Sequence, residues 1–199
     1  MMKLLIATNN PAKIAEYKII LKDLPLELTT LGDLNIKEGV EEDGKTFEEN
    51  AIKKAQFYYK LSGLLTLAED GGIEIDYLNG EPGVKSRRWP GYEATDEELI
   101  NMTLGKLKGV PPEKRGAQLR AVIALAINGQ VKIFEAALRG IISEKPVKKI
   151  IVGYPFRSLF YVPEINKVLA EADKEEEILI SHRKKAIEKL LPIIKKMIK

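Results

Sequence analysis

The sequence of 199 residues contains no cysteine, one histidine and no long apolar segment. The lack of cysteine excludes disulfides, thiolate nucleophiles and zinc sites with sulfur ligands. A single histidine, His182, excludes any site that needs two imidazoles. No stretch approaches the roughly 20 apolar residues that span a bilayer, and the N-terminal apolar run is too short for a secretory signal. We therefore expect a cytoplasmic protein without a membrane partner, whose chemistry uses carboxylates, hydroxyls, lysines or a hard metal ion.

The composition is typical of a folded chain that buries a substantial core. Hydrophobic residues make up 45% of the sequence and charged residues 31%, which excludes a disordered tail protein. We expect a single domain, residues 1–199, built of two lobes. The 32 basic and 29 acidic residues give a net charge of +3, which is too even to predict a nucleic-acid partner from the electrostatic field alone.

Short apolar runs alternate with segments of helical spacing, and this order predicts an α/β fold. Strands are predicted at residues 3–8, 64–68 and 73–77, with a hairpin over 121–138 around Asn128-Gly129. Helices are predicted to begin at Asn10-Pro11, at Thr46, at Thr95 and at Ser181, and the second of them carries a capping box. The first strand therefore leads directly into a helix N-terminus.

The turn Thr8-Asn9-Asn10-Pro11-Ala12-Lys13 joins that first strand to its helix. Backbone N–H groups and the positive end of the helix dipole favour an anion at such a turn. A lysine in the first turn is unfavourable for an isolated helix, so Lys13 indicates a bound phosphate. The alternative is an ordinary helix cap with a solvated lysine.

Two pairs of acids form a second group, Glu41-Glu42 in a loop and Glu69-Asp70 at the carboxyl end of a strand. Ligands of open α/β sheets gather outside the carboxyl ends of the strands. Carboxylates without histidine or cysteine suit Mg²⁺, which completes its coordination with water and phosphate oxygens. The alternative is that these acids are only solvated, an interpretation that fits Glu41-Glu42 better than Glu69-Asp70.

A third motif, Ser181-His182-Arg183, begins the last helix. Serine is a good N-cap, and His182 and Arg183 are planar donors that can bond to or stack on a nucleobase. A lone histidine is more often an ordinary surface or core residue. The lysines of this helix could contact RNA or an anionic membrane, but its apolar stripe favours packing on the core.

These motifs occur in an order that resembles the inosine/xanthosine triphosphate pyrophosphatase family. The resemblance spans the chain and rests on residues 8–13 (TNNPAK), 41–51 (EEDGKTFEENA) with Lys54, 68–72 (AEDGG), 82–88 (PGVKSRR) and 181–183 (SHR). It implies an elongated mixed sheet with flanking helices and two lobes around a central nucleotide-binding cleft. It further implies a homodimer that uses Mg²⁺ to hydrolyse ITP, dITP and XTP to the monophosphate and pyrophosphate.

The resemblance also implies roles for individual residues. Asp70 would be the general base and, with Glu42, a ligand of Mg²⁺. His182 and Arg183 would read the 6-oxo edge of the purine. The remaining substrate-binding residues would be Thr8, Asn9, Asn10, Lys13 and Lys54 at the phosphates, and Gly71, Gly153, Tyr154 and Phe156 elsewhere on the nucleotide.

Three departures from the family pattern bear on base selectivity. Gly71 replaces the usual serine after the catalytic acid, and Glu177 replaces a lysine that precedes the Ser-His-Arg motif. The segment 152–160 keeps Gly153-Tyr154 but lacks an aspartate and is longer. We therefore expect altered selectivity. The alternatives are a related pyrophosphatase with broader or different base selectivity and a nucleotide-binding protein without catalysis. The sequence leaves open whether Glu69 also contacts the metal.

Overall fold

The computed structural model describes residues 2–198, and the side chains of residues 2–196. Over this range the chain forms a mixed α/β fold, as predicted. The strands are β1 (Met2–Ile6), β2 (Leu26–Thr30), β3 (Leu65–Ile75), β4 (Gly116–Ile127), β5 (Gln130–Ile142), β6 (Phe160–Val162) and β7 (Lys167–Val168). The helices are α1 (Pro11–Ile20), α2 (Phe47–Ser62), α3 (Asp96–Lys106), α4 (Lys174–Ile180) and α5 (His182–Ile198). The strands form one sheet in the order β2-β1-β3-β4-β5-β6-β7.

The parallel pairing of β1 places its carboxyl end beside the carboxyl end of β2 and beside the first half of β3. β1 pairs in parallel with both β2 and β3, and Ile6 lies opposite Leu67. One residue further on, the N–H of Ala7 donates to the carbonyl oxygen of Leu67 at 2.8 Å. The loop that follows β1 therefore lies next to the two acids that follow Ala68 on β3.

The described chain divides into two compact units. The first comprises the chain up to Asp70, Ala121–Ala136 and the chain from Arg183 onward. The second comprises Gly71–Arg120 and Ala137–His182. Each has its own buried apolar cluster, which includes Leu4, Ile6, Tyr17, Leu67 and Ile187 in the first unit and Ile73, Leu107, Leu138, Phe160 and Ile180 in the second. The single domain with a central cleft stays a prediction.

Local signals in the sequence predicted the helix starts and the hairpin correctly. The side chain of Asn10 caps α1, and the Thr46 hydroxyl accepts from the N–H of Glu49 at the start of α2. The predicted capping box of α2 is only half formed, because the Glu49 carboxylate accepts from the N–H of Lys45 and not of Thr46. Thr95 and Glu98 form a reciprocal capping box on α3. Asn128 and Gly129 both have positive φ and join β4 to β5, as a two-residue hairpin turn requires.

The division of residues 64–77 into two strands was wrong. β3 runs without a break from Leu65 to Ile75, through Gly71 and Gly72. Glycines weaken an isolated strand, but β3 has a neighbouring strand on each side in the sheet, and these support its backbone. Tyr77 lies in a 3₁₀ turn after the strand. The short elements β2, α4, β6 and β7 were not predicted, because runs of two to seven residues carry little periodicity.

The last helix packs its apolar stripe inward. Ala186, Ile187, Leu190 and Ile194 are buried in the apolar cluster of the first unit. The sequence interpretation that this stripe packs on the core is therefore correct. No helix within residues 2–198 is long and apolar enough to cross a bilayer.

Candidate active site

The loop after β1 is held by hydrogen bonds within its own turn. The N–H of Asn10 donates to Thr8 Oγ1 at 3.2 Å, and Asn10 Oδ1 accepts from the N–H groups of Ala12 and Lys13 at 3.0 and 3.2 Å. These two amide groups are therefore taken by the cap and are not open to an anion. Asn9 is exposed and Thr8 is half-buried beside it. The formal positive charge at this end of α1 comes from the Lys13 ammonium.

Glu69 and Asp70 point to opposite sides of β3, because successive side chains of a strand alternate. Leu65, Leu67 and Glu69 share one side, and both leucines pack in the apolar cluster that contains α1 and α5 residues. Asp70 lies on the other side and bonds to Asn50 of α2. The two neighbouring acids therefore face different helices.

Glu69 is surrounded by donors. Lys13 Nζ lies 3.1 Å from Oε1, and the Tyr17 hydroxyl donates to Oε2 at 2.5 Å. Arg183 Nε donates to both oxygens, at 3.0 and 2.9 Å. With a side chain only 1% exposed, Glu69 has its oxygens directed at N–H and O–H groups. It is therefore unsuited to be a metal ligand.

The charges around Glu69 determine its ionisation. Burial alone would raise the pKa of this carboxyl, but the charges of Arg183 and Lys13 and the hydrogen bonds from Arg183 and Tyr17 hold that pKa well below its usual range. Burial, together with the charge of Glu69, raises the pKa of the Tyr17 phenol well above its ordinary value. Glu69 is consequently a fixed anion, and Tyr17 is its neutral donor.

Arg183 is held by two acids of the first unit. Besides Glu69, its Nη1 donates to Glu16 Oε2 at 3.0 Å. Desolvation would lower the pKa of this guanidinium, but the charges of Glu69 and Glu16 raise it overall. The acids thus fix the orientation of the Arg183 guanidinium as well as its charge.

Asp70 lies in a less charged environment than Glu69. Its Oδ2 accepts from Asn50 Nδ2 at 2.9 Å, and Lys54 Nζ lies 3.6 Å from its Oδ1. Burial raises the pKa of this carboxyl above its ordinary value, and the charge of Lys54 and the Asn50 hydrogen bond offset that effect only in part. A carboxylate with a raised pKa and two defined partners is suited to take a proton.

The first turns of α2 explain how Asn50 and Lys54 reach Asp70. They are four residues apart in α2 and therefore lie on the same side of the helix. The N–H of Gly44 donates to Asn50 Oδ1 at 2.8 Å, which fixes the amide so that its nitrogen faces Asp70. A Cβ at Gly44 would lie 2.6 Å from that same oxygen. The close approach requires glycine at this position.

Glu42 and Asp70 converge on one cationic atom. Lys54 Nζ lies 2.9 Å from Glu42 Oε2 as well as 3.6 Å from Asp70 Oδ1. Two carboxylates that meet at one positive charge fit Mg²⁺, which commonly takes one or two protein carboxylates and completes its shell with water and phosphate. Within residues 2–198, no group of three or more His, Asp or Glu side chains is arranged to hold a metal. The donor set thus fits a metal that arrives with phosphate.

The other residues implied to bind substrate lie in the second unit. Gly71 is half-buried in β3, and His182, also half-buried, begins α5. Gly153 has a positive φ of 84° and is exposed, and its N–H donates to Asp96 Oδ2 at 2.8 Å. Phe156 packs against the apolar cluster of this unit. The Phe156 ring is therefore committed in part to the core.

Arg157, in the altered segment 152–160, forms an ion pair with Glu177, the residue that replaces the usual lysine of the family. Arg157 Nη2 lies 2.9 Å from Glu177 Oε1, and the Arg157 guanidinium lies 5.5 Å from the centre of the Tyr154 ring. Two of the departures noted in the sequence therefore contact each other. The acid at 177 has a cation, Arg157, as its partner.

Comparisons with known proteins identify the chain's relatives. The model of the Ham1 family matches residues 4–193. The chain belongs to the Ham1 family. It is 42% identical over 189 residues to a dITP/XTP pyrophosphatase of Thermoanaerobacter pseudethanolicus, covering 95% of this chain and 94% of the relative. It is 37% identical over 195 residues to the dITP/XTP pyrophosphatase of Bacillus subtilis, covering 98% of each.

A solved Ham1 structure agrees with the fold. The HAM1 protein of Coxiella burnetii superimposes with a TM-score of 0.88 at 36% identity, covering 98% of this chain and 100% of that chain. The family resemblance and the α/β class predicted from the motifs are therefore confirmed.

Three residues that contact the candidate site residues were missed in the sequence. Glu16 and Tyr17 lie three and four residues after Lys13, and Asn50 lies four residues before Lys54. These spacings place each of them on the same helical side as a lysine that was singled out. Helical periodicity around those lysines was the signal that could have found them.

Proposed function

We propose that this chain hydrolyses non-standard purine nucleoside triphosphates, namely ITP, dITP and XTP, to the nucleoside monophosphate and pyrophosphate. The observation that carries the proposal is the environment of Asp70. Its half-buried carboxylate has a raised pKa and lies beside Lys54, one strand position from the fixed anion Glu69 that holds Lys13. A base and two lysines are what attack on a polyphosphate needs. The family and the names of the similar pyrophosphatases support the same reaction.

The reaction begins at Asp70. Its carboxylate accepts a proton from a water molecule, and the water oxygen forms a new bond to the α-phosphorus. The bond between the α-phosphorus and the oxygen that bridges to the β-phosphorus breaks, and the electron pair leaves with pyrophosphate. Lys13 and Lys54 offset the negative charge that builds up on this leaving group. Asp70 then returns its proton to solvent.

Glu42 and Asp70 would hold Mg²⁺, as the resemblance implies. When bound, the metal supplies charge neutralisation at the phosphate oxygens and lowers the pKa of a coordinated water. Asn50 keeps the orientation of Asp70 through the hydrogen bond to Oδ2. In this assignment Thr8, Asn9 and Asn10 contribute polar groups at the phosphates beside Lys13.

Base recognition belongs to His182 and Arg183 in this proposal. A guanidinium held in place by Glu16 and Glu69 is a rigid donor, and a rigid donor favours a carbonyl at position 6 of the purine over an amino group. Contacts of Gly71, Gly153, Tyr154 and Phe156 with the nucleotide stay predictions. The homodimer also stays a prediction, which light scattering coupled to size-exclusion chromatography tests.

The test is hydrolysis of ITP with Mg²⁺ in ¹⁸O-labelled water, with the products analysed by mass spectrometry. Attack at the α-phosphorus predicts one ¹⁸O in IMP and none in pyrophosphate. Label in pyrophosphate would contradict the point of attack, and release of IDP with orthophosphate would contradict the reaction. Absence of turnover with ITP, XTP and the standard triphosphates would favour a nucleotide-binding protein without catalysis.

A further inference from the structure

Tyr17 combines complete burial with a polar contact that packing alone does not need. Its side chain lies in the apolar cluster of the first unit with Leu21 and Leu67 and is 0% exposed. Its hydroxyl nevertheless donates to Glu69 Oε2 at 2.5 Å. Burying a hydroxyl carries a desolvation cost that only a good acceptor offsets. A phenylalanine would fill the same space, so the hydroxyl needs an explanation of its own.

Lys13 and Tyr17 lie one turn apart on α1 and reach the same carboxylate. Residues four apart share one side of a helix. The Lys13 ammonium lies 3.1 Å from Glu69 Oε1, whereas the Tyr17 hydroxyl bonds to Oε2. Glu69 therefore ties two successive turns of α1 to the middle of β3, one through each oxygen.

The Tyr17 hydroxyl restrains the rotation of the Glu69 carboxylate. Arg183 Nε is shared almost equally between the two oxygens, at 3.0 and 2.9 Å, so it does not by itself distinguish them. Lys13 and Tyr17 distinguish the two oxygens, because Lys13 contacts only Oε1 and Tyr17 only Oε2. Without the hydroxyl, Oε2 loses its short donor and the carboxylate can turn about its terminal bond. The Lys13 ammonium, bound to Oε1, would move with it.

We propose that Tyr17 is a positioning residue: through Glu69, its hydroxyl holds the Lys13 ammonium where the triphosphate binds. This inference rests on the proposed function to the extent that it takes Lys13 as a phosphate ligand. Tyr17 itself is fully buried and touches no substrate. Its effect is on the place of a cation and hence on the affinity for the triphosphate.

The test uses Tyr17→Phe and inorganic tripolyphosphate with Mg²⁺, whose binding is measured by calorimetry without any turnover. We expect the Kd for tripolyphosphate, and the KM for ITP, to rise roughly fivefold, the size typical of residues that act through a neighbour. The kcat for ITP should fall as well, because Lys13 also offsets the charge that builds up on the leaving pyrophosphate. Tyr161→Phe is the control, because the Tyr161 hydroxyl bonds to Asn166 in the second unit. We expect its Kd for tripolyphosphate and its KM and kcat for ITP to be unchanged.

A double-mutant cycle separates positioning from a general effect on the fold. If Tyr17 acts through Lys13, adding Tyr17→Phe to Lys13→Ala should not weaken tripolyphosphate binding further. Tyr17→Leu, which also lacks the hydroxyl, is the second variant if Tyr17→Phe does not fold. An unchanged Kd in the folded single variant, or an equal loss with and without Lys13, would overturn the proposal. Absence of ITP hydrolysis by the wild type would refute the proposed function, whereas the tripolyphosphate cycle would still decide the role of Tyr17.

Discussion

Glu69 and Asp70 are consecutive on β3, yet their pKa values are shifted in opposite directions. Glu69 is bound by Lys13, Tyr17 and Arg183, and its pKa is lowered. Asp70 is half-buried beside Asn50 and a more distant Lys54, and its pKa is raised. Pairs of acids whose environments separate their pKa values divide chemical roles between them. These environments support the proposal that Asp70 is the base and that Glu69 is a structural anion.

The first prediction concerns Asp70→Asn. We expect kcat for ITP to fall at least about a hundredfold, the usual contribution of a general base, while tripolyphosphate still binds. The amide cannot accept the proton of the attacking water. Asp43→Asn is the control, because Asp43 is exposed and pairs with Lys53 outside the site. A near-normal kcat in Asp70→Asn at saturating Mg²⁺ would refute the assignment.

The second prediction concerns Glu42→Gln. If Glu42 and Asp70 hold Mg²⁺ together, loss of one charged ligand should raise the Mg²⁺ concentration needed for half-maximal activity. We expect an increase of roughly tenfold or more, as is typical when the surroundings of a metal site are changed. The measurement is a Mg²⁺ titration of pyrophosphate release. Glu41→Gln, at the exposed neighbouring position, should titrate like the wild type. Coinciding curves for the two variants would exclude Glu42 as a ligand.

The third prediction concerns Gly44, which approaches Asn50 closely. In Gly44→Ala the new Cβ would lie 2.6 Å from Asn50 Oδ1 and 2.8 Å from the Glu49 Cβ. The displaced Asn50 amide should lose its bond to Asp70, so we expect kcat for ITP to fall. Gly39→Ala provides a matched control in the same loop, because nothing lies within 4 Å of a Cβ there. Equal rates in the two alanine variants would count against this positioning of Asp70.

The fourth prediction concerns acid stability. The folded-state pKa of Glu69 is lowered, so its contribution to the free energy of unfolding is complete above the unfolded-state pKa and is lost as pH falls toward the folded value. The free energy of unfolding of the wild type, measured with urea, should therefore fall as the pH drops below the ordinary glutamate pKa. Glu69→Gln should be less stable at neutral pH and should lack part of this dependence. Glu27→Gln, which removes an exposed ion pair with Lys3, should retain the wild-type dependence.

The sequence predicted the features that depend on local chemistry. Asn10 and Thr46 cap helices through bonds to residues two or three positions away, and such bonds are visible in the spacing. The pairing of Arg183 with Glu69 joins residues 114 positions apart, and no periodicity predicts it. The unbroken β3 likewise depends on its neighbours β1 and β4.

The acids and cations around β3 also divide into those that the sequence identified and those whose roles depend on tertiary contacts. Asp70, Glu42 and Lys54 were identified from motifs, and the structure brings all three together. That Glu69 has no place for a metal could not be read from the sequence, because it depends on Tyr17 and Arg183 meeting one carboxylate from two helices. Tertiary contacts therefore determine which of two adjacent acids has a raised pKa and which a lowered one.

The most direct test of the account is pyrophosphate release by the wild type with ITP, XTP, ATP and pyrimidine triphosphates under one set of Mg²⁺ conditions. We predict higher kcat/KM for ITP and XTP than for ATP, because base reading by the guanidinium of Arg183 and the imidazole of His182 would favour a 6-oxo group over a 6-amino group. Equal kcat/KM for ITP, XTP and ATP would contradict base reading by these two residues and would support a pyrophosphatase of broader selectivity.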